Sequence, residues 1–205
     1  MAEGDQGQRE HVLRVTAGTL ATHGFDGVRL RDVASAAGVS IGLIQHYFGS
    51  RSQLLAAAFE WSVDDLIARW RGVVAGQQDP LDRLVLLVET LADDPELQRR
   101  SATWTEFCAA AARHPELRGG VQRVFRMWRE ILSDLVQEGT RQGVFRPRLP
   151  LGHTVDLLSA LVDGCDMATA SRAGVMDRDG YRGLHLAAMR LALGIDDDGT
   201  AAAGG

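Results

Sequence analysis

Residues 30–55, LRDVASAAGVSIGLIQHYFGSRSQLL, constrain the fold more than any other part of the sequence. Counted from Leu30 as the first position of a 20-residue unit, Ala34 falls where two steeply crossing helices leave room only for a small side chain. Gly38 falls in the turn between them, where glycine tolerates a left-handed backbone. Ser40 can cap the second helix through its hydroxyl. The positions that must be apolar are Val33, Ala37, Val39, Ile44 and Tyr47. This register predicts a DNA-binding helix-turn-helix rather than an ordinary helical hairpin with a glycine in its turn.

The same stretch carries a family resemblance. GVSIGLIQHYFGSRSQLL resembles the signature around the recognition helix of the TetR family of bacterial regulators: a valine-serine opens the helix, His-Tyr-Phe closes it, and Ser-Arg begins the next. The resemblance runs from about Gln8 to Trp61 and implies a DNA-reading head. Gln45 stands where many members carry a tyrosine, and its amide can offer both a donor and an acceptor to an adenine edge.

The expected DNA contacts come from the second helix of this motif and from arginines at helix ends. We expect the recognition helix to enter the major groove, with Arg51 placing its charge on a phosphate at a helix N-terminus. The formal net charge of −5 is unusual for a nucleic-acid-binding protein, and all 22 basic residues are arginines. The residues that we expect to contact DNA are Arg29, Arg31, Ser40, Ile41, Gly42, Leu43, Gln45, His46, Tyr47 and Arg51.

Helical periodicity without any strand pattern predicts an all-α protein of about nine helices, three in the head and six in a second domain. A first helix is expected over about 9–23, with Gly24 as its C-cap. Ser50 and Gln53 form a capping-box pair that starts a long helix to about Val74. The predicted domains are a disordered 1–8, a DNA-binding head at 9–52, an effector-binding and dimerisation domain at 53–194, and a disordered tail at 195–205.

The second domain carries a weaker resemblance. HPELRGGVQRVFRMWREILSDLVQEGTRQGVFRP is similar to the C-terminal domain of the TetR branch that includes the choline-responsive BetI-type repressors, and Asp163-Gly164 matches an Asp-Gly of that branch. The resemblance implies a helical domain that takes a small-molecule effector. It identifies neither the effector nor the residues that contact it.

Aromatic and polar side chains in this domain suggest a pocket. Trp104, Phe107 and Cys108 share one helix face by their spacing, and large aromatic side chains with polar handles often line ligand sites. Asp163 lies on an otherwise apolar helix and could meet a cationic ligand, although capping a loop or pairing with an arginine is an equal alternative. The candidate pocket residues are Trp104, Phe107, Cys108, Trp128 and Asp163; the alternative is that they are plain core residues.

The last two helices each carry an apolar stripe at helical spacing. A single helix-turn-helix reads too few base pairs to be selective, so we expect a homodimer that reads a palindrome and joins through these helices. The alternative is that both stripes close the core of one protomer. The predicted interface residues are Leu157, Leu161, Gly164, Cys165, Ala168, Tyr181, Leu184, His185 and Ala188.

Other features of the sequence limit the function. Its 205 residues, 45% of them apolar, contain no run of the ~20 apolar residues that a membrane span needs. The polar, acidic N-terminus does not resemble a signal peptide, and Cys108 and Cys165 lack metal spacing, so we expect a reduced, cytoplasmic protein. We find no catalytic motif, metal site or cofactor fingerprint.

We therefore expect a transcriptional regulator and no enzyme, most simply a repressor that a small-molecule effector releases from operator DNA. Two alternatives remain. One is a regulator that responds to no ligand or to thiol oxidation, and the other is a helical interaction protein that does not bind DNA.

Overall fold

The computed structural model describes residues 2–75 and 79–195. Over these ranges the backbone forms nine α-helices, one short 3-10 helix at Pro115–Leu117 and no β-strand. The all-α prediction is therefore confirmed. The helices are α1 (Ala2–Gly27), α2 (Leu30–Ala37), α3 (Ile41–Phe48), α4 (Arg51–Ala75), α5 (Pro80–Ala92), α6 (Leu97–Arg113), α7 (Arg118–Arg141), α8 (Leu151–Ala170) and α9 (Arg178–Leu193).

The chain divides into two compact units that do not follow the order of the sequence. The first unit consists of the described residues up to Ile67 together with Ala102–Arg123. The second consists of Ala68–Ser101 and the described residues from Val124 onward. The first unit thus adds the C-terminal part of α6, the 3-10 helix and the start of α7 to the predicted head.

The first helix differs from its predicted start. It begins at Ala2 rather than at Arg9, so residues that we predicted to be disordered are helical. Gly24, the predicted C-cap, departs from helical geometry at φ 68° and ψ 170°, which is a conformation that glycine adopts at little cost. Of the predicted disordered tail, Ile195 is described, and residues 196–205 lie outside the described part of the chain.

Apolar side chains from α5, α7, α8 and α9 form the core of the second unit. Burial of such a cluster is the main stabilising contribution to a helical domain. The end of the last helix is tied to the loop before α8, since Arg146 N–H donates to the Leu193 carbonyl at 2.7 Å. No described helix combines the length and the apolar character needed to cross a membrane. The buried cluster comprises Leu84, Val88, Leu132, Leu135, Val136, Phe145, Val155, Leu158, Met189, Leu193 and Ile195.

Candidate nucleic-acid interface

The turn between α2 and α3 has the geometry that its sequence predicts. Gly38 adopts the left-handed conformation (φ 66°, ψ 30°), and the N–H of Val39 donates to the Ala34 carbonyl at 3.0 Å. Ala34 is buried. The turn therefore needs a glycine at one position and a small side chain at another.

Helix α3 begins with a side-chain cap. The N–H of Leu43 donates to the Ser40 hydroxyl at 3.1 Å, which satisfies one of the donors that a helix N-terminus leaves without a partner. Ile44 and Phe48 are buried against the rest of the first unit. The opposite face is exposed, and it carries Ile41, Gly42, Gln45 and His46.

Helix α4 begins with the predicted capping box. The N–H of Ser50 donates to Oε1 of Gln53 at 3.0 Å, and the N–H of Gln53 donates to the Ser50 hydroxyl at 3.3 Å. This reciprocal pair fixes the direction in which the chain leaves α3. The orientation of the recognition helix is thus set from both of its ends.

The guanidinium of Arg51 makes its contacts within the first unit. Its Nε donates to the Val28 carbonyl at 2.6 Å, a terminal nitrogen donates to the Phe25 carbonyl, and the group lies 5.6 Å from the centre of the Phe25 ring. These contacts connect the start of α4 to the segment between α1 and α2. A phosphate contact by Arg51 would have to compete with them, so the geometry favours a structural role.

Arg29 and Arg31 remain available at the start of α2. Both are exposed, and Arg31 lies 3.5 Å from the neighbouring Asp32. Exposed pairs of this kind contribute little and rearrange readily. The two arginines can therefore turn toward a phosphate backbone.

Tyr47 has partners that the sequence did not reveal. Its hydroxyl donates to the Asp5 carboxylate at 2.5 Å and lies 3.3 Å from Oε1 of Gln8. The hydrogen bond to Asp5 raises the pKa of Tyr47. The sequence gives no signal for this contact, because the polar composition of residues 1–8 predicts a disordered segment.

The far end of α1 is held by the C-terminal half of α6. The N–H of Phe25 donates to Glu106 at 3.1 Å, and Arg113 donates to Asp26 at 3.1 Å, which lowers the pKa of that carboxyl group. His114 completes the contact, with its ring 4.4 Å from that of Phe25. No motif connects residues so distant in sequence.

The five predicted pocket residues do not fall in one unit. Trp104, Phe107 and Cys108 belong to the first unit, where Phe107 is buried and stacks on Phe59 with 3.8 Å between the ring centres. Trp128 and Asp163 belong to the second unit, where Trp128 packs on Trp70 at 4.9 Å. These contacts give Phe107 and Trp128 a packing role in their own units.

The second unit contains a cavity of about 260 Å³. Its walls combine two arginines and two carboxylates with three apolar side chains. The volume lies just below the ~300–1,000 Å³ typical of ligand pockets. The lining residues are Arg71, Arg83, Met127, Glu130, Ile131, Asp134 and Leu135.

A buried polar network also lies in the second unit. Asp166 accepts hydrogen bonds from the Ser101 hydroxyl at 2.8 Å and from the Tyr181 hydroxyl at 3.1 Å. Arg100 lies 3.6 Å from Asp166 and 3.1 Å from Asp94. The network joins α6, α8 and α9. Asp163, the carboxylate that the sequence suggests, is half-buried and lies three residues before the buried Asp166.

The predicted dimer residues divide into two groups by burial. Cys165, Tyr181 and His185 are buried within the protomer. Burial, followed by the charge of Asp166, raises the pKa of the Cys165 thiol to about 11, which disfavours a reactive thiolate. Leu157, Leu161, Gly164, Ala168, Leu184 and Ala188 keep part of their surface exposed.

Two family descriptions match the chain. Residues 12–58 match "Bacterial regulatory proteins, tetR family", and residues 80–193 match "BetI-type transcriptional repressor, C-terminal". The chain is 30% identical over 172 residues to the transcriptional regulator BetI of Burkholderia cenocepacia, covering 83% of this chain and 86% of that one. The chain is also 32% identical over 126 residues to BetI of Stenotrophomonas maltophilia, a match that covers 63% of the relative, less than two thirds of its length.

Solved structures share the fold. A TetR-family regulator from Rhodococcus sp. has a TM-score of 0.75 at 27% identity, covering 94% of this chain and 100% of that chain. A transcriptional regulator from Saccharomonospora viridis, solved in complex with choline, has a TM-score of 0.81 at 24% identity, covering 91% of this chain and 95% of that chain.

Proposed function

This chain belongs to the TetR family of bacterial transcriptional regulators, with a C-terminal domain of the BetI type, and we propose that it is a dimeric repressor released from a palindromic operator by a small-molecule effector. The observation that carries the proposal is the exposed face of α3 on a helix held at both ends. We infer that it acts in the cytoplasm, where such a regulator meets chromosomal DNA.

The exposed face of α3 supports base reading by Gln45 and His46. The backbone around them is ordered by the Ser40 cap and the Ser50–Gln53 pair, so little conformational freedom is lost on binding. A bidentate contact from a glutamine to adenine discriminates against other bases by about 1–3 kcal/mol. The phosphate contacts are assigned to Arg29 and Arg31.

The first experiment selects duplexes from a random library with the purified protein and measures affinity at several salt concentrations. Gln45→Ala should relax the preference at one position of each half-site. Arg31→Ala should weaken all duplexes alike and lower the salt slope by about one, the value for one phosphate contact. Gln122→Ala, at an exposed position of α7, is the matched control. The absence of any selected palindrome would overturn the proposal.

The dimer interface that we propose consists of the exposed part of the two apolar stripes. Leu157 on α8 and Leu184 on α9 are 49% and 45% exposed. A Cβ added at Gly164 would meet nothing within 4 Å, so this face of α8 is open and a second helix could approach it closely. A second copy of the chain would cover both stripes and place two heads on one palindrome.

Leu184→Glu should convert the dimer into a folded monomer, because an interface cannot bury an unpaired carboxylate without a large cost. Leu149→Glu is the control, because Leu149 is also 45% exposed but precedes α8. Light scattering gives the mass, and circular dichroism checks the helical content. A wild-type monomer, or equal effects of the two variants, would contradict the proposed interface.

The cavity of the second unit supports the effector part of the proposal. Its Asp134 carboxylate could receive a cationic head group, while Met127, Ile131 and Leu135 supply apolar contact. The second carboxylate, Glu130, already lies 3.7 Å from a terminal nitrogen of Arg71. Choline is a suitable first probe. By linkage, an effector that lowers operator affinity must bind the operator complex more weakly by the same factor.

Calorimetry measures choline binding with and without operator DNA. Asp134→Asn should weaken choline binding and leave the operator affinity of the free protein unchanged; Asp156→Asn, at an exposed position of α8, is the control. Binding that Asp134→Asn does not alter would place the effector site elsewhere. Reciprocal coupling between choline and operator would support release by an effector.

A further inference from the structure

The first turns of α1 are attached to the recognition helix at two neighbouring points. The Tyr47 hydroxyl donates to Asp5 at 2.5 Å, with Gln8 at 3.3 Å as a second acceptor. Beside this contact, the guanidinium of Arg9 lies 5.0 Å from the centre of the Phe48 ring. Asp5 and Gln8 are three residues apart and so share one face of the helix. An acidic N-terminal turn is therefore held against α3.

This contact conflicts with DNA binding. A tyrosine hydroxyl has one proton to donate, and a phosphate oxygen can only accept. While Tyr47 donates to Asp5, the same proton cannot go to a phosphate. The carboxylate also adds a negative charge beside a surface that must approach a negatively charged backbone.

We propose that Asp5 is a positioning residue that weakens DNA binding by holding the Tyr47 hydroxyl away from the phosphate backbone. The inference rests on the proposed function, because it requires α3 to meet DNA. Asp5 is exposed, so a change in its side-chain rotamer is enough to release the hydroxyl. The N-terminal turn thus sets the affinity of the head without touching a base.

The test is a double-mutant cycle on the full-length protein with a duplex selected by the wild type, at physiological ionic strength. Asp5→Ala should tighten binding by about tenfold, the equivalent of one charge-assisted hydrogen bond that no longer has to be broken. Asp5→Asn keeps an acceptor oxygen and should give a smaller gain. In a Tyr47→Phe background, the gain from Asp5→Ala should fall to the level of a simple charge effect.

Glu10→Ala measures that charge effect. Glu10 lies on the same helix, is exposed, and pairs with Arg14 at 3.5 Å rather than with Tyr47. Its removal changes the net charge of α1 by the same amount, and screening limits its effect on DNA affinity to about twofold.

A second readout follows Tyr47 directly. The chain has two tyrosines, so ring-labelled protein gives two resonances, which Tyr181→Phe assigns. The Tyr47 resonance should titrate at lower pH in Asp5→Ala than in wild type, because the hydrogen bond that raises its pKa is gone. DNA should shift the same resonance in both proteins.

The inference is overturned if Asp5→Ala binds DNA no more tightly than Glu10→Ala, if its full gain persists in the Tyr47→Phe background, or if it weakens binding. An unchanged Tyr47 titration in Asp5→Ala also overturns it. Failure of the proposed function looks different: no duplex is selected by wild type or by any variant.

Discussion

The α2–α3 turn of the first unit and the Asp166 network of the second unit are held by contacts of very different range. The cap of α3 joins Ser40 to Leu43, three residues away. Asp166 instead joins Ser101, 65 residues earlier, and Tyr181, 15 residues later. A local contact forms wherever its few residues occur, whereas the network exists only after three helices have packed.

The difference affects how each region should respond to substitution. Loss of a helix cap exposes one backbone donor to water, which compensates most of the loss. Loss of the buried Asp166 carboxylate leaves the hydroxyls of Ser101 and Tyr181 without their acceptor. It also removes one of the two carboxylates beside Arg100, which keeps Asp94. We therefore expect the second unit to be the more sensitive of the two.

The largest effect is expected for Asp166→Ala, which should lower the free energy of unfolding by about 2–4 kcal/mol, because two buried hydroxyls, those of Ser101 and Tyr181, lose their acceptor. Asp156→Ala on the same helix is the control, since its side chain is 54% exposed where it pairs with Arg129; it should cost less than about 1 kcal/mol. Urea denaturation followed by circular dichroism gives both values. Similar losses of unfolding free energy in Asp166→Ala and Asp156→Ala would show that the network does not stabilise the second unit.

Gly139→Ala tests packing without any polar group. Gly139 is buried in α7, and the ring of Phe145 occupies the position of an added Cβ. Overpacking should cost about 1–3 kcal/mol. At Gly72, an exposed position of α4, an added Cβ meets nothing within 4 Å, so Gly72→Ala should stabilise the helix by up to about 1 kcal/mol. If Gly139→Ala and Gly72→Ala changed the free energy of unfolding in the same direction, overpacking against Phe145 would not be the cause.

Ser40→Ala measures the local contact in the first unit. Removal of the cap should cost about 1 kcal/mol. DNA affinity should also fall, because the first turn of α3 frays where it carries Ile41 and Gly42. Ser35→Ala, at an exposed position of α2, is the control. Thermal unfolding and a DNA titration give the two quantities; a cost as large as that of Asp166→Ala would remove the distinction between the regions.

His185 gives the smallest effect at neutral pH. It is fully buried and stacks on Tyr181 at 4.3 Å between ring centres; its Nε2 has no partner among the described residues. Burial lowers its pKa below the ordinary 6.5. The unfolded chain therefore takes up a proton first as the pH falls.

It follows that the stability contributed by neutral His185 is present above about pH 6.5 and decreases below it, by at most about 1.4 kcal/mol per pH unit. His185→Phe keeps the stacked ring but removes the ionisable group and the 2.7 Å hydrogen bond between Nδ1 and the Tyr181 carbonyl. Its unfolding free energy should be below wild type by up to about 1 kcal/mol at pH 7.5, and this deficit should shrink or reverse at pH 5.5. Urea denaturation at both pH values provides the measurement. Parallel losses in the two proteins would assign the pH dependence to other groups.

The sequence alone determined the helix-turn-helix and its end signals. These signals are Gly38, Ser40 and the Ser50–Gln53 pair. Each acts on backbone groups only a few residues away, so residue type and spacing are enough to predict the turn and the two helix starts. The face that α3 exposes followed from helical periodicity. The same reasoning placed a break at Gly24, where α1 departs from helical geometry three residues before its end at Gly27, but it did not place the beginning of the helix.

Only the tertiary structure decided which side chains meet across the chain. In the folded chain Asp5 contacts Tyr47, and Arg51 donates to carbonyls of the first unit. The buried carboxylate of α8 is Asp166, whereas the sequence suggested Asp163 as its functional carboxylate. Tyr181 and His185 are buried inside the protomer, whereas Leu184 is exposed, although helical spacing places all three on the same stripe of α9. Helical spacing gives the face of a residue but not what covers that face. Coverage depends on helices distant in sequence, whose packing is a property of the whole chain.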